Sequence, residues 1–344
     1  MTAQGMTRAR PGYAPRPVRD EIERALAALR AGDLIGLPTE TVYGLGADAS
    51  NELAVRRIFA AKGRPSDHPL IVHVADVATA RTFAREWPAD AGALAERFWP
   101  GPLTLIVRRS ERASDAVTGG QDTVGLRVPA HPLALALLRA FGGGVAAPSA
   151  NRYGRVSPTT AAHVRSELGG EVALVLDGGP CAVGVESSIV DLSRGAPRLL
   201  RPGGVSREAL CEALGRDVPL VQTADDVRAP GLVASHYAPR AGLALVTGEQ
   251  LYAAATARLT AGARVAVLAP AEVASPAGAV RFAVAGDSAA YARALYATLH
   301  EVDALGLDVV LAVAPPLEGL GLAVLDRLRR ASAPRSGGDE ASPT

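Results

Sequence analysis

With 344 residues, 48 % of them apolar and 21 % charged, the chain has the composition of a folded globular protein and room for two domains. Its 36 basic and 35 acidic residues nearly cancel and are interspersed, which argues against a protein that works mainly by gripping nucleic-acid phosphates. Two cysteines, Cys181 and Cys211, fit neither a disulfide scaffold nor a cysteine-held metal cluster and point to a reducing compartment.

Residues 1–17 contain Arg and Pro but no apolar run, which predicts disorder and no secretory signal. No apolar stretch is long enough to span a membrane, so a cytoplasmic location is expected. In VRDEIERALAALRAG, Ile22, Leu26 and Leu29 fall at helical spacing and Gly32 closes the helix. Short apolar runs follow: DLIGLP, LIVHV, PLTLIVRR, TVGLRVP, ALVLDGG and SIVDLS. Helical patterns such as NELAVRRIFAAKG, HPLALALLRAFG and SPTTAAHVRSELG separate them, predicting an α/β domain over 18–204. Residues 205–240 read as a short helix and a linker. The strands LALVT, RVAVLAP, RFAVAG and DVVLAVAP then alternate with helical segments, which predicts a smaller Rossmann-like α/β domain over 241–331. The helix GLGLAVLDRLRRA closes it, and a Ser, Pro and Gly-rich tail over 332–344 is expected to be disordered. No G-x-G-x-x-G follows a strand, so this domain is assigned no dinucleotide.

Lys62 is the only lysine in the chain. A basic residue before Gly63 suits a helix C-terminus, but that explains a cation and not the choice of Lys where Arg serves everywhere else. A compact ammonium beside the planar fork of Arg64 suits a pocket for polyphosphate. Thr39, Glu40, Thr41 and Tyr43 follow a buried strand in a segment punctuated by Pro38, Gly44 and Gly46, either a plain capped turn or a site of close backbone approach. Thr123, Gly125 and Arg127 share one strand face. Ser149 and Asn151 follow an apolar strand. Ser157 before Pro158 reads as a helix start, either an N-cap or an anion site. Ser187 and Ser188 enter a strand, and Arg201 stands in a Pro-Gly turn. His73, flanked by strand residues, is the histidine to watch among six. G-x-x-x-x-G-K-[ST], H-E-x-x-H, C-x-x-C and G-x-S-x-G patterns are all missing from the sequence, so a P-loop, a protein-held metal and a nucleophile elbow have no support.

Taken in order, PTETVYGLG, KGRPSDHPLIVHV, WPGPLTLIV, VGLRVPAHP, APSANRYGRVSPTTA, VESSIVD and RPGGV resemble the YrdC-like threonylcarbamoyl-AMP synthases over residues 18–204. APGLVASHYAPR and GLGLAVLDRLRRA are similar to the longer, two-domain branch of that family. The resemblance implies a twisted, mainly parallel sheet with a large concave cavity. It also implies an enzyme joining L-threonine, bicarbonate and ATP with Mg²⁺, releasing pyrophosphate and passing its product to a partner tRNA threonylcarbamoyl transferase, with little or no direct tRNA binding. Carried over by motif, Lys62, Arg64, Ser149 and Asn151 belong to the reaction end. His68, Thr123, Ser157 and Arg201 join them on ATP. Thr41, His73, Arg127, Ala147 and Ser187 hold threonine, and His236 and Tyr237 act as a lid. Two departures stand out: His68 replaces the usual Asn before Pro-Leu, with a titration near neutral pH expected to make activity pH-sensitive, and Ser188 replaces a Thr. Lys62→Ala is expected to remove activity while costing the fold only about 0.3–1 kcal/mol. The competing readings are a carbamoyl-adenylate former using carbamoyl phosphate, for which the chain has neither the length nor the cysteines, a double-stranded-RNA module and a non-catalytic nucleotide sensor.

Overall fold

The computed structural model describes residues 16–221, 227–231 and 236–334. Of the expected disordered ends, 1–15 and 335–344 lie outside the described residues, as do 222–226 and 232–235 of the expected linker. Helix α1 (Arg16–Arg30) already begins inside the leading stretch expected to be disordered.

The first domain continues with β1 (Ile35–Leu37), β2 (Gly44–Asp48), α2 (Glu52–Lys62) and β3 (Ile71–His73). Helices α3 (Val77–Phe83) and α4 (Ala89–Phe98) lead to β4 (Leu103–Arg108), and α5 (Asp115–Thr118) leads to β5 (Thr123–Arg127). Then come α6 (Pro132–Phe141), β6 (Val145–Ala146), α7 (Ala161–Leu168), β7 (Leu174–Val175), β8 (Ser188–Asp191) and β9 (Arg198–Arg201). Helix α8 (Arg207–Leu214) starts the connection. The second domain holds β10 (Gly242–Leu245), α9 (Gly248–Thr260), β11 (Val265–Pro270), β12 (Val280–Val284), α10 (Ser288–Ala304), β13 (Val309–Ala312) and α11 (Gly321–Ser332).

The nine strands of the first domain form one sheet in the order β7-β1-β2-β6-β3-β5-β4-β8-β9. The α/β class holds, but the sheet is mixed rather than mainly parallel. Only β1–β7, β3–β5 and β4–β8 pair in parallel. The other five pairings are antiparallel. Connections as short as 38–43 and 192–197 permit antiparallel neighbours only, because a parallel return needs a crossover of a dozen or more residues. Strand β2 occupies part of what reads in sequence as a turn. Its glycines serve contact: a Cβ on Gly44 would stand 3.1 Å from Ala147 Cβ, and one on Gly46 3.1 Å from Val145 Cγ1. The second domain is a four-stranded parallel sheet, β10-β13-β11-β12, as the alternation predicts.

The two sheets are joined by a shared apolar cluster. Val42, Val156 and Val185 of the first domain pack with Tyr237, Tyr291, Leu295, Tyr296 and Leu299. The approach is close enough that a Cβ on Gly184 would meet Ala292 O and Arg293 Cα at 2.5 Å. Arg293 Nε donates to Ala182 O at 2.9 Å, and Arg155 pairs with Asp303 at 3.0 Å. The second domain therefore closes one side of the first. Among the described residues no helix is long and apolar enough to cross a membrane.

Candidate active site

A recess opens where the strand ends of the first domain meet the linker. The β1–β2 connection supplies Thr39 and Thr41, whose hydroxyls lie 2.8 Å apart, while Thr39 Oγ1 donates to Val42 O at 2.6 Å. Parallel pairing of β3 with β5 sets His73 opposite Arg127. The turn after β6 contributes Ala147, Pro148 and Ser149, stitched to β2 by Leu45 N–Pro148 O at 2.8 Å and Ala150 N–Tyr43 O at 2.8 Å. Glu186 and Ser187 enter from the segment before β8, and Arg64, Arg201, Gly231, His236 and Tyr237 complete the wall.

Three guanidiniums converge here. Arg127 is held by Glu40 at 2.7 Å and donates through Nε to Gly101 O at 3.2 Å. Arg64 Nη2 donates to Pro69 O at 3.0 Å, and burial pushes its pKa down to about 10, which leaves it charged at neutral pH. Arg201 donates to Ser187 O at 2.9 and 3.1 Å, to Ser187 Oγ at 3.2 Å and to Pro230 O at 3.0 Å. Ser187 Oγ also meets Thr104 Oγ1 at 2.8 Å. Burial and the neighbouring Arg127 push His73 down to about 3, so its ring is neutral. His236 is likewise held at about 3 by burial, with Lys62, Arg64 and Arg201 acting in the same direction. Arg64 Nε, His73 Nδ1, His236 Nδ1, Tyr237 Oη and Asn151 Oδ1 are buried without a hydrogen-bond partner among the described residues. Each such group costs about 1–3 kcal/mol unless something satisfies it. Their clustering marks a surface built to receive a polar ligand.

Ten of the residues carried over by motif line the recess: Thr41, Arg64, His73, Arg127, Ala147, Ser149, Ser187, Arg201, His236 and Tyr237. Five others stand around it. Lys62 is buried beneath the 149–151 turn, its ammonium donating to Ser149 O at 2.6 Å and to Asn151 O. Burial and then Arg64 push its pKa well below the ordinary lysine value, against Glu167. Lys62 is therefore a strut under the site wall, and the small stability cost expected of a helix-end lysine does not apply. Asn151 Nδ2 donates to Arg152 O at 2.7 Å and Arg155 O at 2.9 Å, bracing the same turn. His68 is half-buried, edge-on to Tyr153 at 5.8 Å, and Tyr153 is edge-on to His236 at 5.9 Å. Burial and Arg64 lower the His68 pKa, which moves its titration away from neutral pH. Thr123 faces an adjoining hollow that shares Ile71 and Pro230 with the recess.

Two sequence readings are corrected. Ser157 does not start a helix: α7 begins at Ala161 under the Thr160 cap, and Ser157 Oγ donates instead to Glu186 at 2.7 Å. Arg201 is the last residue of β9 and not part of the turn, and the strand aims its guanidinium inward. Glu186 was missed. The only hint was an acidic residue inside an otherwise apolar and hydroxyl-bearing approach to a strand.

Tyr237 has a positive φ of 63°, uncommon for a bulky residue and costing about 1–3 kcal/mol. Gly231 accommodates its hydroxyl: at Gly231, itself at φ 80°, a Cβ would lie 2.2 Å from Tyr237 Oη and 3.1 Å from Arg201 Nη1. Gly231→Ala is expected to cost more than about 1 kcal/mol in denaturant titrations, and to displace Tyr237 from the recess with a matching loss of turnover.

A family model described as telomere recombination matches residues 27–203, and one described as the C-terminal domain of threonylcarbamoyl-AMP synthase matches residues 205–333. The threonylcarbamoyl-AMP synthase of Pyrococcus abyssi is 42 % identical over 334 residues, covering 92 % of this chain and 96 % of the relative. That of Bacillus subtilis is 42 % identical over 324 residues, covering 92 % and 94 %. A crystal structure of Pyrococcus abyssi Sua5 complexed with L-threonine superposes with a TM-score of 0.87 at 40 % identity, covering 91 % of this chain and 94 % of that one. The chain belongs to the threonylcarbamoyl-AMP synthase family, in its two-domain form.

Proposed function

We propose that the recess joins L-threonine, bicarbonate and ATP into L-threonylcarbamoyl-AMP. The observation that carries this reading is the convergence of Arg64, Arg127 and Arg201 with unpartnered polar groups on one buried surface. The threonine amine attacks the bicarbonate carbon and water is lost, giving a carbamate. A carbamate oxygen then attacks the α-phosphorus, the bond to the β-phosphate oxygen breaks, and pyrophosphate leaves. This chemistry asks the protein mainly to position three reactants and to neutralise anionic oxygens. Arg127, pre-oriented by Glu40, takes the threonine carboxylate, while Thr41, His73, Ala147 and Ser187 shape the pocket around the rest of the amino acid. Neutral His73 suits this role, because it offers a hydrogen bond without a second charge. Arg64, Arg201, Ser149, His236 and Tyr237 receive the nucleotide, with His68, Thr123 and Ser157 around its edge and Lys62 and Asn151 fixing the turn beneath. Tyr237 and His236 form a lid that shields the carbamate from water.

Mg²⁺ arrives on the triphosphate as part of the substrate. Among the described residues no three His, Cys, Asp or Glu side chains gather as a metal-binding group, and the carboxylate of Glu186 is already occupied. A partner transferase then takes the product to tRNA, and the near-zero net charge suits a protein that does not itself hold the tRNA. We place this activity in the cytoplasm.

Pyrophosphate release should require L-threonine and bicarbonate together with Mg-ATP. Release without threonine would replace this reading with another acceptor or simple hydrolysis. ATP binding without release would favour a nucleotide sensor.

A further inference from the structure

Among the described residues that line the recess, Glu186 is the one carboxylate, and an anionic substrate should be repelled by it. Its immediate surroundings answer that repulsion. Glu186 Oε1 accepts from Ser157 Oγ at 2.7 Å, and Tyr296 Oη reaches the two carboxylate oxygens at 3.2 and 3.0 Å. Arg327 Nε donates to Glu186 Oε2 at 2.7 Å. Tyr296 lies on α10 and Arg327 on α11, so two of the three donors come from the second domain. The Arg327 side chain has no exposure to solvent. Its guanidinium also pairs with Asp326 at 2.6 Å and stacks 5.1 Å from the centre of the Tyr237 ring.

We propose that Arg327 and Tyr296 are positioning residues of the synthase reaction, which bind the Glu186 carboxylate from behind and so keep Arg201 available to the triphosphate. The proposal rests on the synthase reading and gives the second domain a part in it. Without Arg327, the cation that still stabilises the charge of the buried Glu186 is Arg201. An ion pair of Arg201 with Glu186 would compete directly with ATP. The same guanidinium packs the strained Tyr237 against the recess, which links the lid to the second domain through one side chain. Among the described residues of the first domain, Ser157 alone donates to this carboxylate, through a single neutral hydrogen bond.

The test separates charge cancellation from packing. Arg327→Met should raise the Kd and KM for Mg-ATP at least about tenfold, a loss typical of leaving one buried ionic partner unpaired, with a smaller change in kcat. Adding Glu186→Gln to Arg327→Met removes the stranded carboxylate and should restore ATP affinity to within about threefold of the wild type, since a buried pair replaced on both sides is often tolerated. Tyr296→Phe keeps the ring and removes one donor, and should give a two- to threefold rise. If Arg327→Met does not fold, the double variant still decides the matter: it must bind ATP nearly as well as the wild type. A double variant as weak as Arg327→Met, or an Arg327→Met protein with unchanged ATP affinity, would overturn the proposal. Equilibrium ATP binding is measured without threonine or bicarbonate, so a wild-type protein that binds ATP but releases no pyrophosphate refutes the synthase reading and leaves this test standing.

Discussion

Replacing Lys62 by alanine is expected to lower kcat/KM for pyrophosphate release by about 100-fold or more, the loss associated with a misplacement near 1 Å at a reacting centre. The route is indirect. The ammonium ties the carbonyls of Ser149 and Asn151 together from below, and the turn it holds presents Ala147, Pro148 and Ser149 to the recess. Removing it strands two buried carbonyls, at about 1–3 kcal/mol each, so the variant should also unfold at measurably lower denaturant. Lys62→Arg tests the shape of the site. A planar fork is bulkier than an ammonium and cannot enter a gap sized for one nitrogen between two carbonyls, so charge conservation should not rescue activity. Turnover of Lys62→Ala within threefold of the wild type would refute this account, and full activity of Lys62→Arg would refute the argument from shape.

Acid is expected to destabilise the protein well above the carboxylate range. His73 and His236 are buried and neutral, each with a folded pKa of about 3, against about 6.5 in an unfolded chain. Between those values the unfolded state binds more protons, so stability rises with pH across this window and falls as acid is added. Each histidine contributes about 1.4 kcal/mol per pH unit below 6.5, so the pair removes about 4 kcal/mol by pH 5. Against a typical domain stability of about 5–15 kcal/mol that is a large share. His163, lowered to about 4, and His300, stacked on it at 3.9 Å across the domain interface, act in the same direction. Glu186 follows later. Burial raises its pKa, but Arg327, Arg201 and the Ser157 hydrogen bond outweigh that and hold it at about 2. Its contribution is present above about pH 4.5 and is lost as pH falls toward 2. Urea midpoints at pH 7.5, 6.5 and 5.5 check the sign, and equal midpoints across that range would contradict it. His236→Gln should flatten the slope by about one histidine's share.

Periodicity made the element types visible because burial imposes it: the four parallel strands of the second domain and helices α2 and α6 follow directly from apolar spacing. Motif order was enough to suggest the family and most of the residues that line the recess. Strands β2 and β9 escaped because GLGAD and RLLR carry no apolar alternation long enough to detect, and their pairing depends on the fold around them. Strand direction was equally hidden, since it is decided by connection length and by which faces must be covered. The lone lysine announced that one ammonium was needed, yet only the folded chain showed it facing two carbonyls 87 and 89 residues away. Glu186 and Arg327 lie 141 residues apart. Neither stands out locally, because a buried ion pair is a property of two surfaces brought together, and the second domain had to dock before the charge inside the first could be balanced.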